Sequence, residues 1–387
     1  MKKLLLSAIV LCLLFAFSIS KEKHPHNNST KRQDKQITLR HFDSTVVLDN
    51  ESDTSANVSM ADLDGDGDLD IVLAKGRHWP IFDKILFNNG KGAFANIINL
   101  GLKPDRTYSA VLSDLDADGD VDIVISNDSP DEKLIYFNNG KGVFSISQTW
   151  GDAKWDTRNA SVADLNNDGK PDIIAANRPG PSYYCLNDGH GKFNVRDYHA
   201  LPAESATTIV AADFDNDGFI DLAVPHRDSG QSLIFYNDGK ANFTKTKPFG
   251  PSNCAARTAA AGDLNNDGFA DLVVGDEKAG TFIYLNDKKG GLLPPMRLGE
   301  KAVPFSIAIG DLNNDKKQDI VVGNIESSSI VFFNTGNSGD NKYIPVKFGD
   351  AKGTVYGIAL GDVNKDGFAD IAIARSDAAN VLYLSGK

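Results

Sequence analysis

The residues most able to do chemistry begin at Asp62, in the nonapeptide DLDGDGDLD. Asp62, Asp64, Asp66 and Asp70 stand at its positions 1, 3, 5 and 9, Gly67 is at position 6, and the apolar run IVLA follows at once. Alternate carboxylates in a tight loop converge their oxygens on one point. The backbone carbonyl at position 7 adds another, and the glycine lets the chain turn where a Cβ would clash. This all-oxygen set suits a hard cation, and calcium is the ion expected. The plain alternative is an acidic surface loop, and the first rival is an EF-hand, which closes with a bidentate Glu at position 12. Here that position is Leu73, so the loop closes at Asp70 and enters a strand.

The pattern recurs six more times, at starts 48 to 52 residues apart. The further candidate ligands are Asp114, Asp116, Asp118 and Asp122; Asp164, Asn166, Asp168 and Asp172; Asp213, Asp215, Asp217 and Asp221; Asp263, Asn265, Asp267 and Asp271; Asp311, Asn313, Asp315 and Asp319; and Asp362, Asn364, Asp366 and Asp370. Position 12 is apolar in every copy, which removes the EF-hand and dockerin readings throughout. Up to seven calcium ions follow, with the sixth doubtful, because Lys316 replaces the glycine and Lys317 follows it.

Each loop must be positioned by strands. A short apolar segment ending in Ala, Ser or Gly precedes every first Asp, as expected of an innermost strand crowded round an axis. Some 23 to 26 residues past each first Asp, an aromatic-rich strand ends in a turn such as LFNNG, YFNNG or FYNDG, which marks a hairpin into a fourth strand. Four strands per repeat is the unit of a β-propeller blade. The fold expected is therefore all-β, a seven-bladed propeller of four-stranded antiparallel blades. Phe94, Phe144, Phe193 and Phe243 each lie 20 residues before the next first Asp, and so does Phe42 before Asp62, although no blade precedes it. The last repeat stops after three strands. Residues 37–48 are thus expected to complete the last blade and latch the ring, leaving few open sheet edges.

These repeats resemble the FG-GAP or VCBS-type repeat, similar to the propeller of integrin α subunits, over residues 36–387. The resemblance implies that each loop's carboxylates ligate calcium in the hairpin between a blade's first and second strands.

Ahead of the ring, residues 1–20 read as a signal peptide, with Lys2 and Lys3, an apolar core from Leu4 to Phe17 and a small-x-small cleavage site. Secretion is expected, to the extracellular space, the cell surface or the periplasm. Residues 21–36 read as a disordered polar tether, and residues 37–387 as one propeller. Cys185 and Cys254 fall too far apart in this scheme to pair. Of the 52 acidic residues, 24 stand at the candidate ligand positions of the loops, so the formal charge of −12 says little about partners.

Function is expected on the face opposite the loops. Six positions before each first Asp come Ala56, Tyr108, Arg158, Thr207, Arg257, Phe305 and Tyr356, which should ring the channel mouth. Past the second strands lie Arg77, His78, Trp79, Arg178, His226, Arg227 and Arg375. Arginine with aromatic residues suits a ligand that is both anionic and flat, an acidic glycan or a protein carboxylate. The function expected is a binding or adhesion module, a monomer whose partner is a glycan or an extracellular protein. No nucleic acid and no membrane span are expected. The alternative is a polysaccharide lyase acting on a uronate-containing glycan, since some such lyases are seven-bladed propellers with a His or Tyr base and an Arg on the uronate. Here His78, His226, Tyr108 and Arg158 would supply these groups. A purely structural role is the third possibility.

Overall fold

The aspartate that ends each acidic loop also starts a strand. Second strands begin at Asp70, Asp122, Asp172, Asp221, Asp271, Asp319 and Asp370, and every residue in them is buried. The middle of a run buried on both faces is apolar, with polar residues only toward its ends, which is why position 12 never carries the Glu of an EF-hand. The computed structural model describes residues 38–51, 53–189, 193–197, 205–337 and 342–387. Among them it forms seven four-stranded antiparallel sheets and no helix, and hence no helix long and apolar enough to cross a membrane. The signal peptide and the whole of the tether lie outside the described residues.

Seven apolar clusters fill the spaces between neighbouring sheets. Leu63, Val72 and Ile85 of blade 1, for instance, pack on Ala110, Ile123 and Tyr136 of blade 2. The innermost strands pack so closely that a Cβ on Gly361 would come within 2.6 Å of Leu69 Cδ1 of the next blade, which explains the small residue before each loop.

The ring closes where the sequence places the latch. The strand His41–Asp49 pairs antiparallel with Asn380–Gly386, Thr45 opposite Tyr383, as the outer strand of the last blade. Phe42 is buried against Phe348, which in turn packs edge-on against Tyr383. Blades 7 and 1 then share a core of Leu48, Val58, Leu73 and Leu382 like every other pair. Cys185 and Cys254 are free thiols, both buried.

One fastener was read only as a turn. The first Asn of each turn into the fourth strand donates from its side-chain amide to two backbone carbonyls. Asn237 reaches Ile220 O at 2.9 Å in its own blade and Leu165 O at 2.7 Å in the blade before. Asn88, Asn138, Asn187, Asn286 and Asn334 repeat the arrangement. The last blade has Ser385 instead, and Arg40 of the latch strand donates to its hydroxyl at 2.8 Å. Losing one such amide strands two buried carbonyls, each at roughly 1–3 kcal/mol. Asn237→Ala is expected to lower the unfolding free energy by about 2–4 kcal/mol in urea titration, and a change below about 0.5 kcal/mol would show that the staple carries no weight.

Candidate functional site: acidic loops and the opposite mouth

Every loop is organised by its own carboxylates. The position 1 Asp accepts the backbone N–H of position 6, as in Gly67 to Asp62 at 2.9 Å and Gly169 to Asp164 at 2.8 Å. The position 9 Asp bridges two elements. Asp122 Oδ2 accepts Leu115 N at 2.9 Å and Oδ1 accepts Asn138 N at 2.9 Å, with equivalent pairs in all seven blades. Its burial pushes the Asp122 carboxyl up to about 6, against the two amides, and the loop's other carboxylates push the same way.

Three loops bring carboxylate oxygens within 4.8 Å of one another: Asp62, Asp64 and Asp66; Asp114, Asp116 and Asp122; and Asp213, Asp215 and Asp221. Desolvation, followed by the neighbouring loop carboxylates, holds Asp64 and Asp116 above the ordinary carboxylate range. Asp114 Oδ1 and Asp215 Oδ1 are buried with no hydrogen-bond partner. Converging anionic oxygens, some left unsatisfied, fit a divalent cation of the hard, oxygen-seeking kind.

Loop 6 keeps the backbone and changes the charge. Lys316 adopts the left-handed φ of 66° that glycine takes elsewhere, and its N–H still reaches Asp311 Oδ2 at 2.7 Å. Lys317 Nζ lies 2.8 Å from Asp315 Oδ2, so the protein supplies its own cation there. Lys365 also contacts Asp68 of the adjacent loop, and Lys288 lies 3.2 Å from Asp267 in loop 5.

On the opposite face, the residues six before each first Asp occupy a backbone irregularity. The pairing of first with second strand slips between Ser55 and Asn57, and likewise around Tyr108, Arg158, Arg257, Phe305 and Tyr356, six blades of the seven. A bulge re-aims the extra side chain out of the sheet, which turns a sequence period into a ring at the mouth. Blade 4 lacks the bulge because its first strand spans only Val210–Ala212.

The mouth is a cavity of about 390 Å³ lined by Arg77, His78, Tyr108, Arg158, Arg178, Arg227, Arg257 and Tyr356, with no carboxylate in the lining among the described residues. Trp79 is 66% exposed and does not line it. His226 is also outside the lining, its ring packed on Gly230, and Arg375 is buried against Asp350.

Behind the cavity stand three acids that the sequence reading passed over. Asp228 takes Arg178 in two hydrogen bonds of 2.8 and 3.0 Å. Glu277 accepts Arg227 at 2.9 Å and Arg257 at 2.7 Å. Asp128 lies 2.8 Å from Arg158 Nη1 and 3.1 Å from His78 Nδ1, and His78 Nε2 lies 2.9 Å from the Tyr108 hydroxyl. The signal was available: His78 and Asp128, Arg178 and Asp228, and Arg227 and Glu277 are each 50 residues apart, one repeat, so they meet across neighbouring blades.

The model of the FG-GAP-like repeat matches residues 62–125, 114–175, 164–224, 225–274, 263–322 and 311–373. Two solved structures of BBS1N in complex with ARL6DN share the fold. The one soaked with mercury has a TM-score of 0.60 at 12% identity and covers 89% of this chain and 97% of that chain. The one soaked with lead has a TM-score of 0.58 at 10% identity and covers 90% and 97%. No curated protein matches the sequence.

Proposed function

We propose what this chain does from one premise: it belongs to the FG-GAP-like repeat family. It acts as a secreted, calcium-loaded binding or adhesion module that takes a glycan or an extracellular protein at the mouth opposite its acidic loops. The single observation that carries this reading is the cavity into which five arginines and, among the described residues, no carboxylate converge. Buried Asp128, half-buried Glu277 and exposed Asp228 pair with four of the five arginines and orient them, the preorganisation that recognition of anions exploits. The calcium loops lie on the far face, so the metal sets the shape of the ring and leaves the chemistry of the mouth to side chains. The partner named for the BBS1N structure is a protein, a precedent for the fold alone.

Arg158 and Arg257 are both held in ion pairs, so replacing them touches stability as well as binding. Asp128 keeps His78 and Glu277 keeps Arg227, which lets an Arg158→Gln/Arg257→Gln variant fold. On arrays of glycans and extracellular proteins, that variant is expected to lose at least tenfold in affinity for whatever the parent captures, with its circular dichroism unchanged. Full retention of every captured ligand would overturn the mouth as the binding face.

A second reading has an observation of its own, the chain Asp128–His78–Tyr108. With Asp128 on Nδ1, His78 can take the Tyr108 hydroxyl proton on Nε2 and leave a phenolate as base. In β-elimination from a uronate, that phenolate would take the proton next to the carboxylate, a carbon–carbon double bond would form as the glycosidic carbon–oxygen bond breaks, and the leaving oxygen would take a proton from the His78 imidazolium or from water. Unsaturated products from an acidic polysaccharide, lost in Tyr108→Phe, would establish a lyase; a broad panel without product leaves the binding module.

A further inference from the structure

Around the mouth, cations and aromatic rings alternate. Arg158 lies over Tyr108 at 4.6 Å, and Arg77 lies 5.9 Å from Tyr108 and 3.9 Å from Tyr356. Arg257 lies 5.2 Å from Tyr356 and 3.9 Å from Phe305. Five of these six residues are the bulged ones. Arg77 is the exception, and its place has a cause. Blade 1 carries Ala56 at the bulge, too small to reach its neighbours, and Arg77, entering from the end of the second strand with φ of 52°, fills the gap between Tyr108 and Tyr356.

The five mouth arginines are not equivalent. Arg178 and Arg227 are each taken up by a carboxylate in paired hydrogen bonds, and Arg158 and Arg257 each contact one. Arg77 has no ion pair among the described residues. Its Nη1 donates to the Ser376 hydroxyl at 3.1 Å, and its Nε is buried without an acceptor. A guanidinium left short of acceptors, at the edge of a cavity whose described lining holds no acid, is an uncompensated charge facing that cavity.

We propose that the mouth holds one acidic sugar unit, its carboxylate or sulfate gripped by Arg77 between Tyr108 and Tyr356, with Arg158 and Arg257 adding field from either side. This rests on the mouth being the ligand face and narrows that reading to a chemistry. The interior of the cavity supports a sugar over a peptide, because Asn57, Asn159, Thr207, Thr208 and Thr258 line it with amides and hydroxyls that match a polyhydroxylated ring. Its volume of about 390 Å³ sits near the small end of ligand pockets, roughly 300–1,000 Å³, which suits a compact ligand.

Isothermal titration of the calcium-loaded full chain tests this with D-glucuronate, its methyl ester, N-acetylglucosamine 6-sulfate, N-acetylglucosamine and inorganic sulfate. At least one of the two acidic sugars is expected to bind, ten times or more tighter than its neutral counterpart, and which of them binds identifies the anion. Arg77→Asn, which tolerates a positive φ, should lose tenfold or more, Arg77→Lys should recover part of the loss, and Arg178→Ala should change affinity less than threefold. Equal binding of the neutral sugars, inorganic sulfate binding as tightly as either acidic sugar, or unchanged affinity in Arg77→Asn would each overturn the proposal. If neither acidic sugar binds while the arrays still find a ligand that depends on Arg158 and Arg257, the sugar site falls and the wider reading stands. If neither probe set binds, both fall.

Discussion

Stripping divalent cations is expected to lower the melting temperature by on the order of 10 °C. Extracellular calcium modules bind with Kd of roughly 10⁻⁴ to 10⁻³ M. At about 1 mM calcium, a site with Kd near 0.1 mM that is absent from the unfolded chain adds about 1.4 kcal/mol. Six such loops, with the sixth in sequence excluded because Lys317 already occupies Asp315, add about 8 kcal/mol, comparable with the roughly 5–15 kcal/mol of a whole domain. A chain of roughly 350 residues has an unfolding entropy of about 0.7 kcal/mol per kelvin, which converts that sum into a shift of about 11 °C. The expected dependence follows from the charge that the loops gather. Asp62, Asp64 and Asp66 crowd like charges together, and the oxygens left unpaired on Asp114 and Asp215 gain nothing from the protein. Differential scanning calorimetry with and without chelator, with elemental analysis confirming metal loss, is the measurement. A melt that stays in place after the metal has gone removes the metal from the stability of this fold.

The sequence made the loops and the latch legible because both rest on local spacing. Asp at positions 1, 3, 5 and 9 has one economical geometry, and Phe42 repeats a distance already set by Phe94 and Phe144. The mouth was legible only as a period. That Tyr108 and Arg257 face one cavity depends on bulges that no residue type announces, and blade 4, with the same spacing at Thr207, has none. Trp79 and His226 stood out by type and lie outside the cavity, because a loop's path past its strand end is fixed by neighbouring blades and not by its own residues. Asp128, Asp228 and Glu277 were hidden for a related reason. Their partners are one repeat away, so their role exists only after the ring has formed. The Asn of each NxG turn was read correctly as a turn and incompletely as a fastener, since its two acceptors are backbone carbonyls that carry no sequence label.

The seam between the last blade and the first carries a buried electrostatic lock. Lys75, fully buried at the end of the second strand of blade 1, contacts Asp49 of the latch strand and lies 3.0 Å from Asp53. Lys84 adds a bond of 3.3 Å to Asp49. Burial works against the Lys75 ammonium, but Asp49 and Asp53 overcome it and raise its pKa above the usual lysine value. Burial likewise opposes the Asp49 carboxylate, and hydrogen bonds from Lys75 and Glu51 N hold it below the usual range. Removing one partner of such a pair strands a buried charge, at about 3–5 kcal/mol, whereas replacing both with apolar groups is close to neutral. Lys75→Ala is therefore expected to lower the unfolding free energy by about 3–5 kcal/mol, while Lys75→Met/Asp49→Leu recovers most of that loss. The signs of the two shifts set the pH window. A lowered Asp pKa stabilises above the unfolded value of 3.8 and is lost as pH falls through the folded value; a raised Lys pKa stabilises below 10.5 and is lost as pH climbs past the folded one. Between these limits the lock is closed, so the parent should fall in stability relative to the double variant only in strong acid or strong base. Equal stability of the parent and Lys75→Ala at neutral pH would mean that the latch strand is held by its backbone ladder and the Phe42 contact alone.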